Sequence, residues 1–107
     1  MDKYRIKVTM QAKEHLMLIR QYIAVELKEP TSAQKLLKLL KREMLSLETM
    51  PHRVKCIDEQ PWHDLGFRKI KVKNYYIYFV IDENNKEIQI LAVIYVRRDQ
   101  ANQLEQI

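Results

Sequence analysis

Three strand-like segments follow one another in the second half of the chain, and they constrain the fold more than any other feature. They span Phe67–Val72, Tyr75–Ile81 and Glu87–Val96, and each is a run of strand-forming residues bounded by turn signals. Connections of only two and five residues separate them, so neighbouring segments must run antiparallel. The sequence therefore predicts a three-stranded antiparallel meander.

The first half of the chain predicts a strand and two helices. Tyr4–Thr9 alternates between apolar and polar side chains, which is the pattern of a strand. Apolar residues then recur every three or four positions over residues 12–27, as on one face of a helix, and the Glu-Pro pair that follows ends it. A second helix, for which Thr31 or Ser32 is the expected N-cap, runs towards Pro51.

These elements predict one α+β domain over residues 1–107, with an N-terminal strand, a hairpin of two long helices and the meander in a single sheet. The helices are expected on one face of the sheet, and the other face is expected to be partly exposed. Residues 51–66 predict a long irregular connection, in which Val54–Ile57 is a candidate edge segment.

The meander concentrates positive charge in two short segments, whereas the formal net charge of the whole chain is only +5. Such a surface suits an anionic polymer or an acidic protein segment, and the plainer interpretation is a solvated face. The cations are Arg68, Lys69, Lys71, Lys73, Arg97 and Arg98.

Strand alternation predicts that cations and aromatic rings share one solvent-reachable sheet face. Lysine and arginine can stabilise phosphate charge, and tyrosines can stack on bases. The residues that we expect on this face are Lys69, Lys71, Tyr76, Tyr78, Tyr95 and Arg97.

Several functional classes find no support in the sequence. The longest apolar runs have seven residues, whereas a membrane-spanning helix needs about 20, and the first residues lack an apolar signal core. The single Cys56 fits a reducing compartment, so a cytoplasmic protein is expected. The sequence contains neither a metal-ligand cluster nor a glycine-rich phosphate loop, so no metal and no cofactor is expected.

The chain resembles the RelE/ParE superfamily of bacterial toxins over nearly its whole length. Three stretches carry the resemblance: Gly66–Val72, Asn74–Phe79 and Ile94–Asp99, which ends on Arg-Arg-Asp. The resemblance implies the toxin of a type II toxin–antitoxin module, neutralised by an antitoxin that wraps an extended or helical tail around it. It implies one of two mechanisms. RelE-like members cleave mRNA in the ribosomal A site, and ParE-like members poison DNA gyrase without chemistry of their own.

The resemblance to RelE-like enzymes can be carried over to only part of this sequence. Lys69 and Lys71 match lysines of the first meander strand, and Arg97 matches an arginine near the end of the last strand. Tyr76 stands where those enzymes usually carry an arginine, and the tail after Asp99 has neither the tyrosine nor the histidine that members offer there. Enzymatic activity is therefore an open question.

RNA cleavage by 2′-OH attack needs a base, an acid and cations around the phosphate. His63, oriented by Asp64, is a candidate base. The candidate catalytic residues are Arg97, Lys71, Lys69 and Tyr76, and the candidate residues for binding RNA or another target are Arg68, Lys73, Tyr78, Tyr95, Arg98 and His63.

The expectation is a toxin with a slight preference for a ribosome-dependent endoribonuclease, because the cations and tyrosines are expected on one face. A gyrase inhibitor is the first alternative, supported by the long helical hairpin and the Arg-Arg-Asp ending. An inactive toxin-like module that binds nucleic acid is the second alternative. The expected partners are an antitoxin and either the ribosome with mRNA or DNA gyrase. Both a homodimer and a toxin–antitoxin hetero-oligomer are open.

Overall fold

The computed structural model describes residues 3–98 of the chain. Strands and helices follow in the predicted order. The main elements are β1 (Arg5–Val8), α1 (Met10–Gln21), α2 (Pro30–Leu45), β2 (Arg68–Val72), β3 (Tyr75–Asp82) and β4 (Glu87–Tyr95). A π-helical turn, Tyr22–Glu26, extends α1, and short 3-10 turns occupy Ser46–Glu48, Pro51–Arg53 and Val96–Arg98.

The four strands form one sheet in the order β1-β4-β3-β2. The pairs β2–β3 and β3–β4 are antiparallel, which confirms the predicted meander, and β1 runs parallel to β4. A parallel pair needs a long crossover connection, and the two helices between β1 and the meander supply it. The predicted α+β class, with a helical hairpin against one face of a single sheet, is confirmed.

The two helices begin in different ways. The side chain of Thr9 caps α1, because its Oγ1 accepts a hydrogen bond from the backbone N–H of Ala12 at 3.3 Å. Helix α2 begins with Pro30, whose fixed φ suits the first helical position and whose missing N–H needs no partner. The predicted N-cap at Thr31 or Ser32 is therefore wrong, since both residues lie inside the first turn of α2.

The main core lies between the helices and one face of the sheet. Its fully buried members include Leu40 of α2 and the strand residues Ile77, Phe79, Ile88 and Ile90. Burying side chains of this size contributes about 1.5–3 kcal/mol each relative to exposure. Because the helices cover one face of the sheet, the expected cation–aromatic surface can lie only on the opposite face. Among residues 3–98, the structure contains no helix that is long and apolar enough to span a membrane.

A β-bulge in β4 reverses the alternation of its side chains. Tyr78 pairs with Ala92, but the next residue, Phe79, pairs with Ile90, so Leu91 has no partner in the ladder. The part of β4 before the bulge and the part after it therefore follow opposite parities. The prediction of one continuous alternation along β4 is wrong.

The side chains of Thr9, which caps α1, and of His15, which lies in α1, bind the edge of β4 at this bulge. Strand β1 ends just before it, and Thr9 Oγ1 then donates to the carbonyl of Ile90 at 2.8 Å and lies 3.3 Å from that of Leu91. The backbone N–H of Val93 donates to Nδ1 of His15 at 3.1 Å. The side chains of Thr9 and His15 thus take the places of strand partners at the edge of β4, where the register changes.

The contact between His15 and Val93 makes stability depend on pH. Burial lowers the pKa of His15, and the nearby charge of Glu14 opposes this effect without reversing it. Nδ1 can accept the Val93 N–H only while it is unprotonated. The unfolded chain therefore binds more protons than the folded one as the pH falls through the ordinary histidine value of 6.5.

We expect the free energy of unfolding to fall as the pH drops below about 6.5 towards the lowered pKa of His15. A His15→Gln variant keeps an acceptor for the Val93 N–H but does not titrate, so it should lose less stability over the same interval. Urea denaturation of both proteins at several pH values measures the difference. Parallel pH profiles would contradict the assigned role of His15.

Candidate functional site

Two lysines and one tyrosine lie together on the sheet face that points away from the helices. Register pairs Lys71 with Tyr76, and Lys69 with Tyr78, so these side chains leave β2 and β3 on the same side. The ammonium nitrogen of Lys69 lies 4.1 Å from the ring centroid of Tyr76. We call Lys69, Lys71 and Tyr76 the cation–tyrosine patch, and the alternation of β2 and β3 predicts its composition.

The patch can hold an anion. Lys71 is exposed and, within residues 3–98, has no ion pair or hydrogen bond to another side chain. Lys69 rests on the face of Tyr76, a contact that stabilises an exposed pair by about 0.5–1 kcal/mol and holds the cation in place. Two ammonium groups can bind a phosphate while the ring beside them stacks on a nucleobase.

Tyr78 contacts this patch from below, with its ring centroid 5.7 Å from the ammonium of Lys69, but it is fully buried. Residues 54–67, which we call the Trp62 loop, pass over this face of the sheet and pack Ile57 and Trp62 against Tyr78 and Ala92. Trp62 itself is 8% exposed. The expectation that Tyr78 is reachable by solvent is wrong, because a segment without regular periodicity supplies a second small core.

Backbone hydrogen bonds hold the Trp62 loop in this position. The N–H of Ile57 donates to the carbonyl of Phe67 at 2.9 Å, and the N–H of Phe67 donates to that of Trp62 at 3.0 Å. Gly66 closes the loop with a φ of 80°, which residues with a side chain rarely adopt. The candidate edge segment Val54–Ile57 is reduced to one isolated antiparallel bridge, at Cys56.

Arg68 also holds the Trp62 loop in position through a hydrogen bond. It lies on the opposite face of β2 from Lys69, and its guanidinium donates to the carbonyl of Val54. The group that sequence analysis assigned to target binding is thus partly buried and already engaged in a hydrogen bond within the chain.

His63 is exposed, but it is not oriented by Asp64 as predicted. Nδ1 of His63 lies 2.9 Å from the carbonyl of Ile57, so this nitrogen carries the proton and donates it to the hydrogen bond. The carboxylate of Asp64 instead accepts from Nε2 of Gln60 at 3.2 Å. Within the described part of the chain no hydrogen bond joins His63 to Asp64, and the predicted base–carboxylate pair is not formed.

Tyr95 lies on the helix side of the sheet. It pairs with Tyr75, and the two rings meet edge to face with their centroids 5.6 Å apart. The prediction that Tyr95 shares a face with Tyr76 and Tyr78 is wrong, and the bulge at Leu91 is the physical reason.

Arg97 follows the last strand rather than belonging to it. Strand β4 ends at Tyr95, so the alternation that was expected to place Arg97 does not extend to it. The N–H of Val96 donates to the carbonyl of Asn74 at 2.8 Å, which ties this end of the chain to the β2–β3 turn. Arg97 is exposed and makes no ion pair or hydrogen bond with any other residue between 3 and 98.

Two further cations that the sequence assigned to target binding, Lys73 and Arg98, lie near the β2–β3 turn. Lys73 is exposed at the first position of the turn and takes the left-handed conformation, with a φ of 57°. Arg98 ends the 3-10 turn after β4, and its side chain lies outside what the structure describes, as do Asp99 and the tail.

An apolar groove between the two helices is a second candidate site. It encloses about 960 Å³ between α1, α2 and β1, and Leu16, Met17, Ala33 and Leu37 contribute to its lining. Leu16 and Ala33 are buried, whereas Met17 is 62% exposed. The described residues that line it include no acidic side chain and four cations, which we call the rim cations, namely Lys13, Arg20, Lys38 and Lys41.

One cluster of titratable groups has a structural role at the opposite end of the sheet. The hydroxyl of Tyr4 donates to both carboxylate oxygens of Glu83, at 3.2 and 3.1 Å, and the ammonium of Lys86 lies 3.3 Å from one of them. Desolvation acts to raise the pKa of Glu83, but the hydrogen bonds from Tyr4 and Lys86, with the charges of Lys86 and His52, outweigh it and hold the pKa below its usual value. This carboxylate joins the N-terminal segment to the β3–β4 turn. Residues 3–98 contain no group of three side chains able to hold a metal ion.

Comparison with known proteins agrees with this fold. The chromosomal ParDE toxin–antitoxin system of P. aeruginosa is similar with a TM-score of 0.73 and 24% sequence identity, over 88% of this chain and 97% of that chain. The RelBE2 toxin–antitoxin complex of Mycobacterium tuberculosis gives a TM-score of 0.64 and 20% identity, over 89% and 93%. A mutant of the E. coli toxin RelE in the free state gives a TM-score of 0.66 and 12% identity, over 98% of both chains.

At these identities the structural similarities establish the fold alone, and none of the curated protein sequences compared with the chain matches it. A family model described as the ParE toxin of the type II toxin–antitoxin system parDE matches residues 6–100. That match covers most of the chain, and it agrees with the resemblance carried by the meander residues. The chain therefore belongs to the ParE toxin family within the RelE/ParE superfamily of type II toxin–antitoxin modules.

Proposed function

We propose that this toxin arrests growth by binding DNA gyrase in the cytoplasm, without chemistry of its own. Membership of the ParE family supports this mechanism, since ParE-like members of the superfamily act in that way. The proposal reverses the slight preference for a ribonuclease that the sequence alone suggested. It rests on one observation, namely that Tyr95 and the His63–Asp64 pair do not join Lys69, Lys71 and Tyr76, and that solvent does not reach Tyr78.

This arrangement leaves the sheet face without the predicted base–carboxylate pair. Tyr78 is buried beneath the Trp62 loop, Tyr95 lies on the other side of the sheet, and His63, whose Nδ1 donates to a carbonyl, is not held by Asp64. What remains is the cation–tyrosine patch. Cleavage by 2′-OH attack needs a base and an acid for proton transfer at two oxygens. A surface that binds its target needs no such groups.

A ribosome-dependent nuclease is the second candidate, because Lys69, Lys71 and Tyr76 do lie together in the arrangement that binds a phosphate beside a base. If this candidate holds, Lys71→Ala should reduce mRNA cleavage strongly. If the gyrase proposal holds, there is no cleavage for it to reduce.

We expect the purified toxin to inhibit the supercoiling of relaxed plasmid by DNA gyrase, and to leave transcripts intact in a translating extract. Supercoiling is measured by gel electrophoresis, and transcripts by primer extension after addition of the toxin. The matched variant Lys69→Ala/Lys71→Ala should leave transcripts equally intact. Discrete cuts inside translated regions that disappear in this variant, together with unchanged gyrase activity at high toxin excess, would overturn the proposal.

We propose that the cognate antitoxin occupies the groove between α1 and α2. An amphipathic helix can place its apolar face against Leu16, Met17 and Leu37. The four rim cations favour acidic residues on such a helix, because opposite charges across an interface speed association and suppress wrong partners. The structures of the P. aeruginosa and M. tuberculosis systems, described as toxin–antitoxin assemblies, support an antitoxin as the partner.

A further inference from the structure

Helix α2 carries a row of cations on its solvent side. Three of them follow one another at intervals of three residues and the fourth lies seven residues after the first, so they lie on the side of the helix that faces away from the buried Ala33, Leu40 and Met44. Glu43 is the single acidic residue of this helix. We call the row the α2 cationic face, and its members are Lys35, Lys38, Lys41 and Arg42.

These four charges are not neutralised within the described part of the chain. All are exposed, and none forms an ion pair or a hydrogen bond through its side chain with residues 3–98. Other cations behave differently: Lys3 pairs with Glu48, and Arg53 donates to the carbonyls of Thr49 and Met50. The α2 cationic face therefore presents a concentrated positive potential to solvent.

The composition of this face favours nucleic acid over a protein partner. Lysine is depleted at protein–protein interfaces, whose centres are apolar, whereas interfaces with DNA are polar and strongly positive. The exposed neighbours of the cations near the start of α2 are polar, namely Thr31, Ser32 and Gln34. No aromatic side chain occurs in α2, so the face lacks the stacking platform that single strands require.

A duplex matches the geometry of the row. Lys35 and Arg42 are two helical turns apart, about 10 Å along the axis. Double-stranded DNA carries one charge per about 1.7 Å of its axis, so the cations of α2 can reach several phosphates at once. Three of the four side chains are lysines, which act as point charges and give no bidentate recognition of bases.

We propose that the α2 cationic face binds the phosphate backbone of duplex DNA without reading its sequence. This binding goes beyond the proposed function, and it places the toxin on the substrate of its target enzyme. Lys38 and Lys41 also border the groove between the helices, whereas Lys35 and Arg42 do not line it. DNA binding and antitoxin binding can therefore be separated by substitution.

The test uses the full-length toxin and a short fluorescent DNA duplex of mixed sequence, with anisotropy recorded at several salt concentrations. We expect weak affinity, with a Kd of about 10⁻⁴ to 10⁻⁶ M at physiological salt. Four phosphate contacts give a slope of log K against log salt of about −3.6. The variant Lys35→Glu/Arg42→Glu should bind about tenfold more weakly and reduce the slope by about 2.

The matched control is Lys7→Glu/Lys55→Glu, which changes the net charge equally at exposed positions outside α2. It should bind DNA nearly as well as the wild type. The neutral variant Lys35→Gln/Arg42→Gln should also bind DNA more weakly and with a smaller salt slope, without the introduction of acidic residues. Circular dichroism checks that each variant folds.

Three results would overturn the proposal: equal weakening by the control, a slope near zero, or tenfold tighter binding of an RNA duplex of the same sequence. The last result would assign the face to RNA. Because the assay contains no gyrase, its failure leaves the gyrase proposal standing, and failure of the supercoiling assay does not affect this one.

Discussion

Replacing Trp62 by alanine should lower the free energy of unfolding by about 3–5 kcal/mol, the usual cost of removing a buried tryptophan from a core. Trp62 is 8% exposed and packs with Ile57 against Tyr78 and Ala92, on the sheet face away from the helices. This second core is small, so loss of its largest side chain leaves a cavity that few neighbours can fill. We expect the Trp62 loop to detach from the sheet.

Urea denaturation followed by far-UV circular dichroism measures the loss. Leu65→Ala is the matched control, because Leu65 lies in the same loop but is 61% exposed, and its truncation should change stability by less than about 0.5 kcal/mol. The chain contains a single tryptophan, so the intrinsic fluorescence of the wild type reports independently whether the loop is docked.

The result bears on mechanism as well as on stability. If Trp62→Ala and Leu65→Ala have equally small effects, the loop does not cover the sheet, and Tyr78 can reach a ligand on the face that carries Lys69 and Lys71. The burial of Tyr78 would then no longer argue against a nuclease. A large, selective effect of Trp62→Ala means that the loop covers Tyr78 and leaves the cation–tyrosine patch as a surface able to bind an anion.

Strand alternation predicted the cation–tyrosine patch correctly on β2 and β3, and it failed on β4. Along β2 and β3, each strand pairs in one continuous register, so a period of two is enough to place Lys69, Lys71 and Tyr76 on one face. On β4, Thr9 and His15 bind the strand edge, and the register shifts there. Those contacts join residues about 80 positions apart in sequence, and no local pattern contains them.

The Trp62 loop and the groove escaped prediction for different reasons. The loop has no hydrophobic period, so the sequence alone could not show that Trp62 packs on Tyr78. The groove is lined by the same kind of apolar residues that fill a core, and periodicity does not distinguish a buried Leu16 from an exposed Met17. Only the separation of the two helices, which tertiary packing sets, decides which of these side chains remains available to a partner.

Met17→Glu should weaken binding of the antitoxin about 100-fold. Met17 lines the groove between α1 and α2 and is 62% exposed in the free toxin. Burying a methionine side chain contributes about 1.5–3 kcal/mol, and each 1.4 kcal/mol changes the affinity tenfold. Glutamate forfeits this contribution, and it adds a negative charge where the rim of Lys13, Arg20 and Lys38 favours an acidic partner.

Met10→Glu is the control for this substitution. It makes the same chemical change on the same helix, at a position that is 72% exposed and does not line the groove. A glutamate in the first turn of α1 also suits the helix dipole, so this variant should fold and should bind within about threefold of the wild type.

Isothermal titration calorimetry with the protein encoded beside the toxin gene measures both affinities. Co-expression gives a second measurement, because Met17→Glu should keep its toxicity when that partner is present, whereas Met10→Glu should be neutralised. Equal affinities for the two variants would place the antitoxin elsewhere on the toxin. The cations of the rim would then join those of α2 as one larger surface for an anionic polymer, and the DNA-binding assay would measure the affinity of that surface.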